Sequence, residues 1–112
     1  MPKTSADLLY GTIDLLVLKS LSWNPLHGYA ISRWLRERSG GALEIDDAAL
    51  YKSLHRLEEE GAITSEWGLS ENNRKARYYR LAPPGRKRLR ADHNAWRAYT
   101  LGVGRILRAA QP

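Results

Sequence analysis

Cysteine is absent from the 112 residues, which removes disulfides, thiolate zinc sites and cysteine nucleophiles together. Histidine is scarce too. His27, His55 and His93 stand far apart and form no H-E-x-x-H pair, so neither a metal site nor a cofactor is expected. No apolar run approaches the roughly 20 residues of a membrane span, and mean hydropathy is −0.52. Ser, His and Asp residues occur without nucleophile-elbow spacing, so the chain is not expected to be an enzyme. Asp7 and Asp14 interrupt the stretch where a signal peptide would need its apolar segment. What these exclusions leave is a cytoplasmic protein of one short domain, with no membrane partner.

Another absence is local. From Asn72 to Ala91 there is no acidic residue, while the same stretch holds Arg74, Lys75, Arg77, Arg80, Arg86, Lys87, Arg88 and Arg90. The whole chain carries 18 Lys+Arg against 12 Asp+Glu, a net +6, but the segregation says more than the sum. Acids gather elsewhere, at Asp46-Asp47 and Glu58-Glu59-Glu60. A solvated face usually mixes signs, and Tyr78, Tyr79 and Leu81 give this stretch a structured pattern. A polyanion partner is favoured. Charge alone does not separate DNA from RNA or from a membrane surface.

Of the residues present, 43% are hydrophobic, enough for a core. Leu8, Leu9, Ile13, Leu15, Leu16, Val17, Leu18 and Leu21 predict a first helix over residues 5–21. Its apolar residues occupy more than one face, so it should meet both its own core and a second chain. A second helix is expected from Gly28 to Ser39, with Tyr29, Ile31, Trp34 and Leu35 as its apolar positions and Gly40-Gly41 as its stop. His27 reads as a structural histidine at the turn before it. A third helix begins at Asp46 or Asp47, either able to cap it, and ends at Gly61. Its buried stripe, Leu50, Leu54 and Leu57, turns Ala48, Lys52, His55, Arg56 and Glu59 outward and leaves Tyr51 on the flank.

Two strands follow, Ala62–Trp67 and Ala76–Leu81, joined by a polar tip from Gly68 to Lys75. Pro83-Pro84 opens a last helix that runs to about Arg108. Its stripe is Leu89, Trp96, Tyr99, Val103 and Ile106, a coiled-coil-like seam that one small domain cannot cover. A second copy of the chain is the expected cover.

Three helices, a two-stranded hairpin and a final helix make a mainly α (α+β) winged helix-turn-helix plan with a long C-terminal dimerisation helix. Residues 1–82 would form the DNA-binding part and residues 83–112 the dimerisation helix. In this plan the third helix enters the major groove of double-stranded DNA, and the wing reaches flanking phosphates or the minor groove. Glu58, Glu59 and Glu60 at the helix's far end oppose both the helix dipole and phosphate, so its N-terminal half should approach the groove.

Leu26-His27-Gly28-Tyr29, Leu50-Tyr51, Leu54-His55-Arg56-Leu57-Glu58, Gly61-Ala62-Ile63, Trp67 and Arg77-Tyr78-Tyr79-Arg80-Leu81 followed by Gly85-Arg86 resemble the PadR family of transcriptional regulators, in order and spacing. The similarity runs from Leu8 to about Leu107 and is to the short branch with a single C-terminal helix. Trp67 followed by Gly68-Leu69-Ser70-Glu71-Asn72-Asn73 resembles the acidobacterial-type subgroup. The resemblance implies a homodimeric repressor on an inverted-repeat operator, assembled through the last helix with help from the first. It also implies, as an alternative, a sensor of phenolic compounds or planar drugs, with Trp96 stacking on a small aromatic effector at the dimer interface. Two departures stand out. Ala48, Ala49 and Lys52 replace the family's usual small residue, hydroxyl and proline around Leu50-Tyr51, and Ala82 replaces a Thr that caps the last helix, so that start is expected to fray.

The candidate DNA-binding residues are therefore Ala48, Tyr51, Lys52, His55, Arg74, Lys75 and Arg77. Tyr51 either contacts DNA or packs on the wing. Lys52 and His55 point into the groove. Arg74 and Lys75 take phosphates. Arg56 is expected to pair with Glu60, four residues on. The candidate dimer residues are Leu9, Ile13, Leu89, Trp96, Tyr99, Val103 and Ile106, with Trp96 doubling as the candidate ligand contact.

Overall fold

The computed structural model describes residues 12–112. The first helix, α1, is Ile13–Ser20 in this range, and its expected earlier part, with Leu9, lies outside the described residues. Next come β1 (Leu26–His27), α2 (Gly28–Arg38), α3 (Asp47–Glu59), β2 (Ile63–Leu69), β3 (Lys75–Leu81) and α4 (Pro83–Arg108).

The ends of the helices follow from local chemistry. His27 caps α2, its Nδ1 accepting the Ala30 N–H at 3.1 Å, which is the structural role expected of it. Asp46 caps α3 by accepting the Ala49 N–H at 2.9 Å. Gly61, at φ 77°, closes α3. There the Ala62 N–H reaches Leu57 O and the Gly61 N–H reaches Glu58 O, the paired bonds of a Schellman stop.

Leu50, Leu54 and Leu57 of α3 are fully buried against Val17, Leu18 and Leu21 at the end of α1, Ile31 and Leu35 of α2, and Ile63, Tyr79 and Leu81 of the sheet. α1 is the central element. It packs on α3, α4 and α2, whereas α3 and α4 hardly meet directly.

The sheet is larger than the expected two-stranded wing. β1 joins it, giving the antiparallel order β1-β3-β2 with Leu26 opposite Tyr79. The hairpin ladder also runs further, from Ile63 opposite Leu81 to Leu69 opposite Lys75. The turn is only residues 70–74, closed by Ser70 N–H to Arg74 O and Asn73 N–H to Ser70 O, both at 2.8 Å. Lys75 is thus a strand residue.

Ala82 supplies no side-chain cap to α4, as expected from the missing hydroxyl. The start is nevertheless anchored. The Ala82 N–H donates to Ala62 O at 3.0 Å, and Gly85 lies so close that a Cβ there would sit 2.0 Å from the same oxygen. Main chain against main chain replaces the cap. α4 then extends for 26 residues, about 39 Å at 1.5 Å per residue, and from His93 onward it is almost wholly exposed.

Candidate nucleic-acid interface

On α3 the stripe fixes the rotation as expected: Ala48, Tyr51, Lys52, His55, Arg56 and Glu59 are exposed. Lys52 has no side-chain partner among the described residues. Tyr51 is 54% exposed, but its ring leans on the start of α2, where a Cβ at Gly28 would come 3.0 Å from the tyrosine oxygen. It meets the start of α2, shares the cleft with the wing strands and stays half exposed. His55 has its Nε2 3.0 Å from the Glu59 carboxylate, so this candidate reader already holds a partner on its own helix.

Of the wing cations, Arg74 sits in the turn with its side chain unpaired among the described residues. Lys75 places its Nζ 5.0 Å over the Trp67 ring, and the Arg77 guanidinium lies 5.4 Å from the same ring. Arg77 also donates to Ser65 Oγ at 2.8 Å and lies 3.7 Å from Glu58. It is held on the sheet, and less open than the sequence alone suggests.

Between the start of α2, α3 and the wing lies a cleft of about 630 Å³. Three of its residues were missed by sequence reasoning. Tyr29, assigned there to an apolar stripe, is 66% exposed, with the Arg33 guanidinium 5.6 Å from its ring. Trp67 is 58% exposed. The Tyr29/Arg33 spacing of four on one helix was the available signal. The three glutamates also differ from expectation. Glu58 accepts from Ser65 and faces Arg77, Glu60 pairs with Arg88, and only Glu59 stays on the His55 side.

Arg56 does not take Glu60. It reaches back to Asp14 on α1, through both Nε and Nη2. Asp14 also accepts from the buried Ser53 hydroxyl at 2.7 Å and from Arg88 at 3.2 Å. Arg88 in turn meets Glu60 and Asp92. These acids offset the basic start of α4. Burial pushes the Asp14 carboxyl upward, but the hydrogen bonds from Arg56 and Ser53 and the charges of Arg56 and Arg88 outweigh it and hold it below its usual value.

Of the candidate dimer residues, Ile13 is buried in its own core at 7% exposure, and Leu89 is packed against that core. Ile13 thus leaves little surface for a partner, whereas Leu89 is only partly buried. Trp96, Tyr99, Val103 and Ile106 are exposed, and so are Leu101 and Leu107, which the stripe had not included. Beside Trp96, an apolar cavity of about 460 Å³ is lined by Leu15, Leu16, Leu43 and Leu89.

The chain matches a family model described as the transcriptional regulator PadR-like family over residues 17–91. It is similar to the transcriptional regulator Rv3488 of Mycobacterium tuberculosis, 34% identical over 84 residues that span 74% of each chain. Among solved structures it resembles a PadR family transcriptional regulator from Eggerthella lenta, at TM-score 0.78 and 32% identity, covering 93% of this chain and 88% of that one. A transcriptional regulator from Clostridium thermocellum superposes at TM-score 0.80 with 28% identity, covering 89% and 97%.

Proposed function

The chain belongs to the PadR-like family of transcriptional regulators, and from that premise we propose that it is a sequence-specific DNA-binding repressor, acting in the cytoplasm as a homodimer on an inverted repeat. The observation that carries this reading is the single concave face shared by α3 and the wing. There Arg74 is exposed beside cations stacked on exposed aromatics, and Lys52 is exposed on α3 next to Tyr51 of its lining; both are unpaired among the described residues. Unpaired cations above a groove-sized helix are what a phosphate backbone neutralises, and the release of its counterions drives binding. The helix face between them is chemically mixed, with Ala48, Tyr51, Lys52 and His55, which suits base reading better than uniform charge does. Trp96, Tyr99, Val103 and Ile106 form the dimer seam.

The test is selection of duplexes from a random pool, followed by footprinting on the region upstream of the chain's own gene across a salt series. An inverted repeat bound far more tightly than random DNA supports the reading. Equal affinity for all duplexes overturns it in favour of a nonspecific architectural protein.

A second reading, response to a small aromatic effector, is favoured by the apolar cavity beside Trp96. Trp96 fluorescence titrated with planar aromatic compounds, in parallel with DNA release, tests it. Quenching without release would leave a binding cavity and no sensor.

A further inference from the structure

None of the residues of the Asp14 cluster lines the cleft between α2, α3 and the wing, and nothing in DNA reading as such requires the cluster. α3 and α4 hardly touch, so the angle between the reading helix and the dimerisation helix is set through other elements. α1 packs on both, and two further ties join them. One is at the start of α4, where Ala82 and Gly85 rest on the Ala62 carbonyl just past α3. That contact is small and lies at one end of α4, so the tilt of the helix is left to its packing on α1 and to the second tie.

The second tie stands three residues along, at Arg88. This side chain donates to Glu60 at the end of α3 and to Asp14 on α1. Asp14 also receives Ser53 and Arg56 from the middle of α3. One carboxylate therefore takes side chains from both helices. Its side chain is only 20% exposed and Ser53 is fully buried, so solvent screens the cluster less than it would an ordinary surface pair.

We propose that Asp14 is a positioning residue for operator recognition: it joins α3 to α4 and so fixes the separation and tilt of the two reading helices in the dimer. The inference rests on the DNA-binding dimer reading above. It assigns Asp14 no contact with DNA. Its effect is on geometry between half-sites, since two major-groove helices must match a separation of about 34 Å, one turn of the duplex. Adding a base pair between the half-sites moves them apart by about 3.4 Å and rotates one against the other, so a stiff joint rejects wrong spacers and a loose one tolerates them.

The experiment uses the inverted repeat selected by the unaltered protein, a set of duplexes with one or two base pairs added or removed at its centre, and a single half-site duplex. Affinities are compared for the unaltered protein, Asp14→Asn and Arg88→Gln, with circular dichroism and thermal melting on each. Arg88→Gln leaves Asp14, Ser53 and Arg56 together and removes the ties of α4 to Asp14 and Glu60, with Arg88's own-helix contact to Asp92, so it serves if Asp14→Asn fails to fold. We expect the preference for the selected spacer to fall about tenfold in each variant, with half-site affinity unchanged. In the double variant the two effects should not add, because both act through one joint. A folded Asp14→Asn or Arg88→Gln protein that keeps the full spacer preference overturns the inference alone. So does a loss of affinity equal on half-site and full site. If the unaltered protein selects no inverted repeat, the DNA-binding reading falls first and the inference with it.

Discussion

One methyl group at position 85 would collide with the Ala62 carbonyl, because the approach there is 2.0 Å from an ideal Cβ and the obstacle is backbone. Gly85→Ala is therefore expected to displace the start of α4 and to destabilise the fold by about 2–4 kcal/mol, within the range of overpacking changes and above most surface ones. Urea unfolding checks this, and an unchanged midpoint would refute it. Asp14 gives a second residue-scale expectation. Its carboxyl is held below the usual value in the folded chain. Its contribution to stability is thus fully present above the unfolded carboxylate pKa and is lost as pH falls through the lower folded value. Asp14→Asn should flatten the acid side of the stability profile and change little of the slope near neutrality; melting temperature against pH reads this. None of this cluster was legible in the sequence. Arg56 and Glu60 sit four apart on one helix and invite a local pair, but a half-buried partner on another element holds Arg56 more firmly than a solvated neighbour can. Asp14 lay inside an apolar run, where it read only as an obstacle to a signal peptide.

Single elements were more readable. The Leu50, Leu54, Leu57 stripe determines the rotation of α3, because three leucines that must leave water allow only one face inward, and Ala48, Lys52 and His55 stand exposed as the spacing requires. β1 was not readable. Two residues carry no periodicity, and Leu26–His27 becomes a strand only because β3 offers an open edge beside Tyr78 and Tyr79. The hairpin turn came out shorter than expected because Leu69 and Lys75 still complete the ladder. Division of labour between the two DNA-facing elements follows from their chemistry. Lys52, at the centre of the exposed face of α3, can donate to guanine O6 or N7, so Lys52→Ala should cost about 1–3 kcal/mol on the selected operator and much less on random DNA. Parallel losses on both would make Lys52 a phosphate anchor. For the wing, removing Arg74 and Lys75 should weaken binding to every sequence alike and lower the salt slope by roughly one unit per lost contact. Gel-shift titrations across salt distinguish the two behaviours.

At the scale of the whole molecule, α4 makes the chain elongated, with extents of 60 × 30 × 22 Å. Replacing Val103 and Ile106 together with Asp should give monomers by light scattering; an intact dimer would mean that another face carries assembly. The exposed apolar stripe of α4 was legible in the spacing. That Ile13 of α1 is buried in its own core, and Leu89 packed against it, was not, because a stripe records apolarity without saying whose atoms cover it. The exposed reach of α4 has a thermodynamic consequence as well. Past Tyr99 the helix has little tertiary support among the described residues, and it contains Gly102 and Gly104, each costing about 1 kcal/mol of helix propensity relative to Ala. A solitary helical stretch of that length is marginal in water, so forming it and pairing it should be one event. Diluting the protein would then melt part of its helix as well as separate its copies, and Gly102→Ala, where the space around an added Cβ is open, should move that loss to lower concentration. A regulator built this way would measure its own abundance through a folding equilibrium, with competence to bind appearing only above a threshold dose of the chain.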